Sequence, residues 1–200
     1  MQNNGGSLVA QAVVQLAAAK GLRSVTLVAP GGGIEWSALS PHLTALGGTL
    51  VLGEGDALKH EFLKTMRDLP PGALGLNGSG GSAANSVARA LARGATLVTY
   101  GAARRREAAL SAALDLFTVG DLSARGFSLQ AWAEKQNGAA LAADIAAAAA
   151  ACASEEGGGK ELKRASVSFL VAREPFEDFS AALKRATAAV TDRPVVLRMK

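Results

Sequence analysis

Cysteine is nearly missing: Cys152 is the single thiol in 200 residues, so neither a disulfide framework nor a cysteine metal set can form within the chain. Histidine is almost as scarce. His42 and His60 fall on different expected helices without ligand spacing, so both read as partly exposed helix residues and a metal site is not expected. Aromatics make up 4% of the chain against 49% hydrophobic residues. The core must then be built from Ala, Val and Leu, which suits helices packed closely on a parallel sheet better than a sandwich or barrel. Long apolar runs are missing too. The stretch 139–153 is interrupted by Asp144 and falls short of the ~20 residues that span a bilayer, and the start of the chain lacks the charged flank and apolar block of a secretory signal. Net charge is +4, yet only Arg104-Arg105-Arg106 clusters, without the aromatic interleaving or basic stripe of a nucleic-acid binder. Neither nucleic acid nor a membrane span is expected.

What the chain does have is alternation. Apolar periodicity predicts helices at 8–20, 36–46, 56–68 and 82–93, separated by strands at 24–29, 49–52, 73–77 and 95–100. Gly21, Gly47-Gly48 and Gly94 each follow an expected helix, where a left-handed residue closes the last turn at least steric cost. Further on, a helix is expected near 107–116, a strand at 122–127, a long helix from 130 to about 153, a glycine loop at 154–159, a strand at 167–171, a helix at 176–189 and a final strand at 195–197. Strand–helix repetition of this kind, in a length that suits one domain, implies a doubly wound parallel α/β sheet.

Three glycine turns punctuate it. Gly5-Gly6-Ser7 opens the first helix, supplying little side-chain bulk and backbone N–H groups at the positive end of a helix dipole. Ser7 there serves as a helix cap or as a hydroxyl for a phosphate oxygen, and the turn reads equally as a plain turn or as a pyrophosphate site. Such a turn ordinarily hangs off the central first strand. Here almost nothing precedes it, so the chain reads as one unit of something larger. Leu76-Asn77-Gly78-Ser79-Gly80-Gly81 and Tyr100-Gly101 follow later strands and fall on the same carboxyl edge. At the end of the second strand, where an acid selects NAD and an arginine NADP, stands Ala29-Pro30-Gly31-Gly32-Gly33, which is neither; Glu35 reads as an early residue of the next helix. Arg104-Arg105-Arg106 reads as a phosphate contact or as a solvated loop. No Ser/His/Asp or Cys/His set is present, and Asp115 and Asp121 have no paired carboxylate, so the chain carries no self-contained catalytic constellation.

The run from Gln2 through Leu16 resembles the start of the cofactor domain of mitochondrial 2-enoyl thioester reductases, in the medium-chain dehydrogenase/reductase superfamily. Leu91 to Gly101 resembles that family's strand and cofactor loop, Asp121 to Leu129 resembles its "LRGFWL" segment, and the chain closes on a similar helix and strand. The resemblance implies a Rossmann-like doubly wound parallel sheet lacking most of its first strand, with a C-terminal helix and strand, as a single partial dinucleotide-binding domain over 1–200. It also implies that the catalytic domain lies outside this chain. The implied activity is NADPH-dependent reduction of the 2,3 double bond of enoyl thioesters on acyl carrier protein or coenzyme A, in fatty acid synthesis in the mitochondrion, by a homodimer when complete. Carried over by position, Gly6, Ser7, Leu8 and Val9 would meet the pyrophosphate of NADPH. Tyr100, Gly101, Ala102 and Ala103 would lie beside the nicotinamide half, and Phe127, Ser128 and Leu129 would complete that pocket. No catalytic residue and no metal ligand is implied. Leu8 and Ala10 stand where glycines are common, Ala29-Pro30-Gly31 replaces an arginine-bearing 2′-phosphate loop, and Pro194 replaces a basic residue. The alternatives are a non-catalytic relative serving as a scaffold or assembly subunit, and a quinone or alcohol reductase of the same superfamily.

Overall fold

A computed structural model describes residues 1–29, 36–102, 114–135, 143, 172–175 and 195–198. The elements follow in the order α1 (Leu8–Ala19), β1 (Val25–Val28), α2 (Trp36–Ala45), β2 (Leu50–Gly53), a 3-10 turn (Asp56–Leu58), α3 (His60–Arg67), β3 (Gly72–Asn77), α4 (Gly81–Arg89), β4 (Leu91–Thr99), α5 (Leu114–Thr118), β5 (Ser123–Gly126), α6 (Leu129–Lys135), β6 (Ala172–Pro175) and β7 (Val195–Arg198).

β1 pairs with β2, β3 with β4, and β4 with β5, all in parallel. What joins the two groups is Gln2, which bridges Thr26 of β1 on one side and Leu76 of β3 on the other. Its N–H donates to the Val25 carbonyl and its carbonyl accepts from Leu27 N–H, both at 2.9 Å, while Asn3 N–H donates to the Leu76 carbonyl at 3.2 Å. The sheet order is thus β2-β1-Gln2-β3-β4-β5. This is the doubly wound order, with the short first strand at its centre. β6 and β7 form a separate parallel pair.

Both faces of the sheet are covered. Val28 packs with Val14 of α1 and with Leu39 and Leu43 of α2. Leu27, its neighbour on the opposite face, packs with Phe62 of α3, Val87 of α4 and Leu97 of β4, as the two-residue period of a strand requires. Every residue of β1 is buried, as suits a short β-branched strand covered on both faces.

Three expected elements are corrected. The helix expected at 82–93 ends at Arg89, and Leu91, Ala92 and Arg93 open β4 instead. Leu91 pairs with Gly72 of β3, and this tertiary pairing outweighs the helical propensity of the segment. Gly94 therefore lies inside β4; it keeps a positive φ of 73°, and its N–H donates to the Gly120 carbonyl at 2.9 Å. The helix expected at 56–68 is broken at Lys59, whose extended backbone (φ −80°, ψ 155°) separates the 3-10 turn from α3. A strand does occur near the one expected at 167–171, but as β6 at Ala172–Pro175. The expected span 167–171 lies outside the described residues, as do the helix at 176–189, the loop at 154–159, most of the helix at 107–116 and most of the helix at 130–153.

Candidate functional site

The carboxyl edge of the sheet is built around two asparagines. Asn3 is fully buried at the end of the short central strand. Its Nδ2 donates to Asn77 Oδ1 at 2.8 Å, and its Oδ1 accepts from the Gly78 and Ser79 N–H groups at 2.7 and 3.1 Å. Asn77, the last residue of β3, accepts in turn from Gly80 N–H at 2.9 Å and donates to Thr99 Oγ1 at 3.2 Å. One network thus holds the glycine loop at 78–80 and ties together the ends of three strands. It spans the switch point, where α1 leaves to one face and α4 to the other, and this is where doubly wound sheets bind ligands.

Beside it, Asn4 adopts a left-handed conformation (φ 57°) and its carbonyl accepts from Ser7 N–H at 2.9 Å, turning the chain into α1. Ser7 caps that helix, its Oγ accepting from Ala10 N–H at 3.2 Å. Helix geometry leaves the Leu8 and Val9 amides without an intrahelical carbonyl, so the positive end of α1 points at the edge. Gly5 has no room for a side chain: a Cβ there would lie 2.7 Å from Thr26 Cγ2 and 2.8 Å from Val28 Cγ2.

Tyr100 closes the other side. Its ring lies over Gly78, where a Cβ would come within 2.6 Å of Oη, and its N–H donates to the Asn77 carbonyl at 3.0 Å. Oη is shielded from solvent without a partner at hydrogen-bond geometry. Burial pushes the phenol above its ordinary value, and the nearby Ser7 hydroxyl offsets part of that rise. Gly101 follows, close against the Gly78 carbonyl.

The structure therefore brings Ser7 and Tyr100 together and sets Gly6, Leu8 and Val9 around the same helix start. Phe127 hydrogen-bonds through its N–H to the Thr99 carbonyl at 2.8 Å, and Ser128 caps α6 by accepting from Ala131 N–H at 3.3 Å. Phe127, Ser128 and Leu129 lie exposed at the end of β5, on the far side of β4 from the α1 turn. Ala102 is exposed, and Ala103, the basic run at 104–106 and the loop at 30–35 lie outside the described residues.

Sequence reasoning placed the 76–81 turn on this edge but missed the hydrogen-bonding roles of Asn3 and Asn77 and the buried contact in which Ser79 Oγ donates to Glu54 Oε1 at 3.3 Å. The available signal was the amide that closes the strand at Asn77; Asn3 stands in the polar run Gln2-Asn3-Asn4, which carries no such signal. Among the described residues no three His, Cys, Asp or Glu side chains converge, and no described helix is long and apolar enough to cross a membrane. A mainly apolar cleft of about 390 Å³ lies at the opposite, amino edge, between Met1, Leu22, Met66 and Leu74, with Gln2, Arg23, Ser24 and Thr49 also in its lining.

No protein-family model matches the chain. Among curated proteins it is 39% identical to the human mitochondrial enoyl-[acyl-carrier-protein] reductase over 132 residues, which is 66% of this chain and 34% of that protein. It is 28% identical to the Dictyostelium discoideum protein of the same name over 206 residues, covering 100% of this chain and 53% of that one. The chain thus spans between a third and about half the length of these relatives. Among solved structures, the complex of Etr1p with NADP and crotonyl-CoA superposes with a TM-score of 0.76 at 16% identity, covering 99% of this chain and 53% of that one. The mitochondrial 2-enoyl thioester reductase Etr1p/Etr2p heterodimer from Candida tropicalis gives 0.68 at 17%, covering 92% and 50%. These likenesses establish the Rossmann-like fold, and the resemblance drawn from the residues is borne out by the relatives' names.

Proposed function

We propose that this chain is the cofactor domain of an NADPH-dependent 2-enoyl thioester reductase, working with a catalytic domain that it does not itself contain. The observation that carries the reading is the pairing of the Ser7-capped start of α1 with Tyr100 across the switch point, on a loop fixed by Asn3 and Asn77. When bound, NADPH supplies the hydride that reduces the β carbon of the enoyl thioester. This chain's part is to bind and orient. The Leu8 and Val9 amides and the Ser7 hydroxyl would hold the diphosphate, and Gly6 would leave the approach to it free of side-chain bulk. By the same reading Tyr100, Gly101 and Ala102, with Ala103 carried over from the resemblance, would line the nicotinamide half, and Phe127, Ser128 and Leu129 would lie beyond.

The names of the curated relatives and the NADP and crotonyl-CoA of the Etr1p complex support this assignment. They equally support a mitochondrial setting and a substrate carried on acyl carrier protein or coenzyme A. The assembled enzyme is a homodimer in this reading. The test has two arms: titration of the chain with NADPH, followed by its protein fluorescence, and NADPH oxidation with a 2-enoyl thioester once the upstream catalytic sequence is restored. Saturable binding and turnover are expected. No turnover by the complete protein refutes the enzymatic assignment.

The second reading is a non-catalytic relative serving as a scaffold or assembly subunit, favoured by Ala29-Pro30-Gly31, which offers no base to a 2′-phosphate. It predicts that NADPH leaves the melting temperature unchanged.

A further inference from the structure

The peptide that joins Gly6 to Ser7 is held at both ends. Its N–H, on Ser7, donates to the Asn4 carbonyl at 2.9 Å, and its carbonyl, on Gly6, accepts from Gln11 Nε2 at 2.9 Å. Side chains on a helix lean back toward its start, so a glutamine one turn past the Ser7 cap reaches the residue ahead of that cap. Gln11 is 0% exposed and Gly6 is buried. The Gly6 carbonyl therefore turns into the protein. The glutamine amide is oriented in its turn from the last turn of α2, where His42 Nε2 lies 3.3 Å from Gln11 Oε1. A backbone carbonyl only accepts, so the amide nitrogen faces Gly6 and the amide oxygen faces His42, whose ring nitrogen is then the donor. One relay thus runs from α2 through α1 to the glycine turn.

We propose that Gln11 is a positioning residue for the turn that receives the diphosphate, with His42 fixing its amide from α2. The inference rests on the proposed function for the identity of that anion. Glycine at position 6 is what makes such a residue necessary: without a Cβ it has the widest choice of backbone angles in the turn, and the hydrogen bond from Gln11 selects one. A peptide unit has a negative end at its oxygen and a positive end at its N–H. Rotated outward, the Gly6 carbonyl would set its oxygen beside the Ser7 hydroxyl and the Leu8 and Val9 amides and repel the anion they attract. Held inward, it leaves only donors on the ligand side. Gln11 touches no ligand and acts through Gly6.

Titration of the purified chain with NADPH, followed by its protein fluorescence, tests this. Gln11→Met keeps the length of the side chain, removes the donor, and is expected to weaken binding about tenfold. His42→Leu, at a half-buried position, is expected to weaken it about threefold, and His42→Gln, which restores a donor, should recover the parent affinity. The double variant separates positioning from mere support of the fold. Because His42 acts only through Gln11, His42→Leu should change nothing further once Gln11 is methionine, whereas two independent structural roles would multiply their losses. Unchanged affinity in a Gln11→Met chain that is folded by circular dichroism overturns the proposal, as do multiplied losses in the double variant, and the parent's own binding then leaves the cofactor reading in place. Where Gln11→Met does not fold, the histidine pair decides: loss in His42→Leu with recovery in His42→Gln supports the relay, and equal affinity in the two overturns it. If the parent chain does not bind NADPH, both readings fall.

Discussion

Replacing Asn3 by alanine tests whether the amide network at the carboxyl edge holds the site. The side chain makes three hydrogen bonds, to Asn77 Oδ1 and from the Gly78 and Ser79 N–H groups, and no water reaches it, since Asn3 is 0% exposed. Truncation leaves two buried backbone donors unsatisfied and one acceptor bonded only to Gly80 N–H. At roughly 1–3 kcal/mol for each orphaned group, partly relieved by relaxation of the loop, Asn3→Ala should cost about 2–5 kcal/mol. In a chain of this size that is a fall of roughly 5–15 °C in melting temperature. Urea denaturation followed by circular dichroism measures it. Thr65→Val is the control: the Thr65 hydroxyl donates to the Glu61 carbonyl at 3.0 Å on an exposed helix face, so its loss should stay within about 0.5 kcal/mol. Because Asn3 and Asn77 share a bond, the double alanine variant should cost less than the sum of the singles by at least about 0.5 kcal/mol. A cost for Asn3→Ala no larger than the control, or strict additivity, refutes the network.

Tyr100 is the only tyrosine in the chain, so its phenolate absorbance titrates alone. Burial raises its folded-state value above the ordinary 10.0, so the associated stability is complete below about pH 10 and falls as pH rises through the folded value; a midpoint at or below that of the urea-unfolded chain contradicts the structure. Gly75→Ala would place a Cβ 2.9 Å from each of Leu91 Cδ1, Leu97 Cδ1 and Val87 Cγ1 and should cost about 1–3 kcal/mol by overpacking. Gly55→Ala, with open space around it and an αR backbone, should be neutral or slightly stabilising, and thermal melts compare the two. Ser7→Ala removes the cap on α1 and should lose about 0.5–2 kcal/mol of stability together with NADPH affinity, read by melting and by fluorescence titration.

Much of this was legible in the residues because the core elements obey local rules. α1, β1 and α2 carry their own periodicity, and Gly21 and Gly47 take the positive φ that a helix end demands. What was not legible depends on partners far away in the chain. Leu91-Ala92-Arg93 is helical by propensity, and only pairing with Gly72 makes it strand. Asn3 and Asn77 are 74 residues apart, so neither announces the bond between them. The same holds for Glu54 and Ser79. The carry-over from the resemblance placed Ser7 and Tyr100 on one edge, and their mutual approach is a consequence of topology that no local pattern encodes.

The departures at the phosphate turn find a physical account in which side chains are exposed. Leu8 and Val9 are 39% and 48% exposed, so their bulk leaves the helix start toward solvent and does not enter the sheet. The position that demands smallness is Ala10, which is 0% exposed and whose carbonyl accepts from Gln2 Nε2 at 2.9 Å. A longer side chain there would part α1 from the central strand, whereas alanine keeps the close helix–strand approach that a glycine fingerprint otherwise secures. The strict requirement falls one turn earlier, on Gly5, which is wedged against β1. The turn can therefore lose the usual glycines at positions 8 and 10 without losing its shape, because backbone amides and helix polarity, unlike side chains, survive those substitutions. Charge is different: a 2′-phosphate partner would be a side chain, and Ala29-Pro30-Gly31 offers no base, so this departure, unlike those at positions 8 and 10, is not absorbed by backbone geometry.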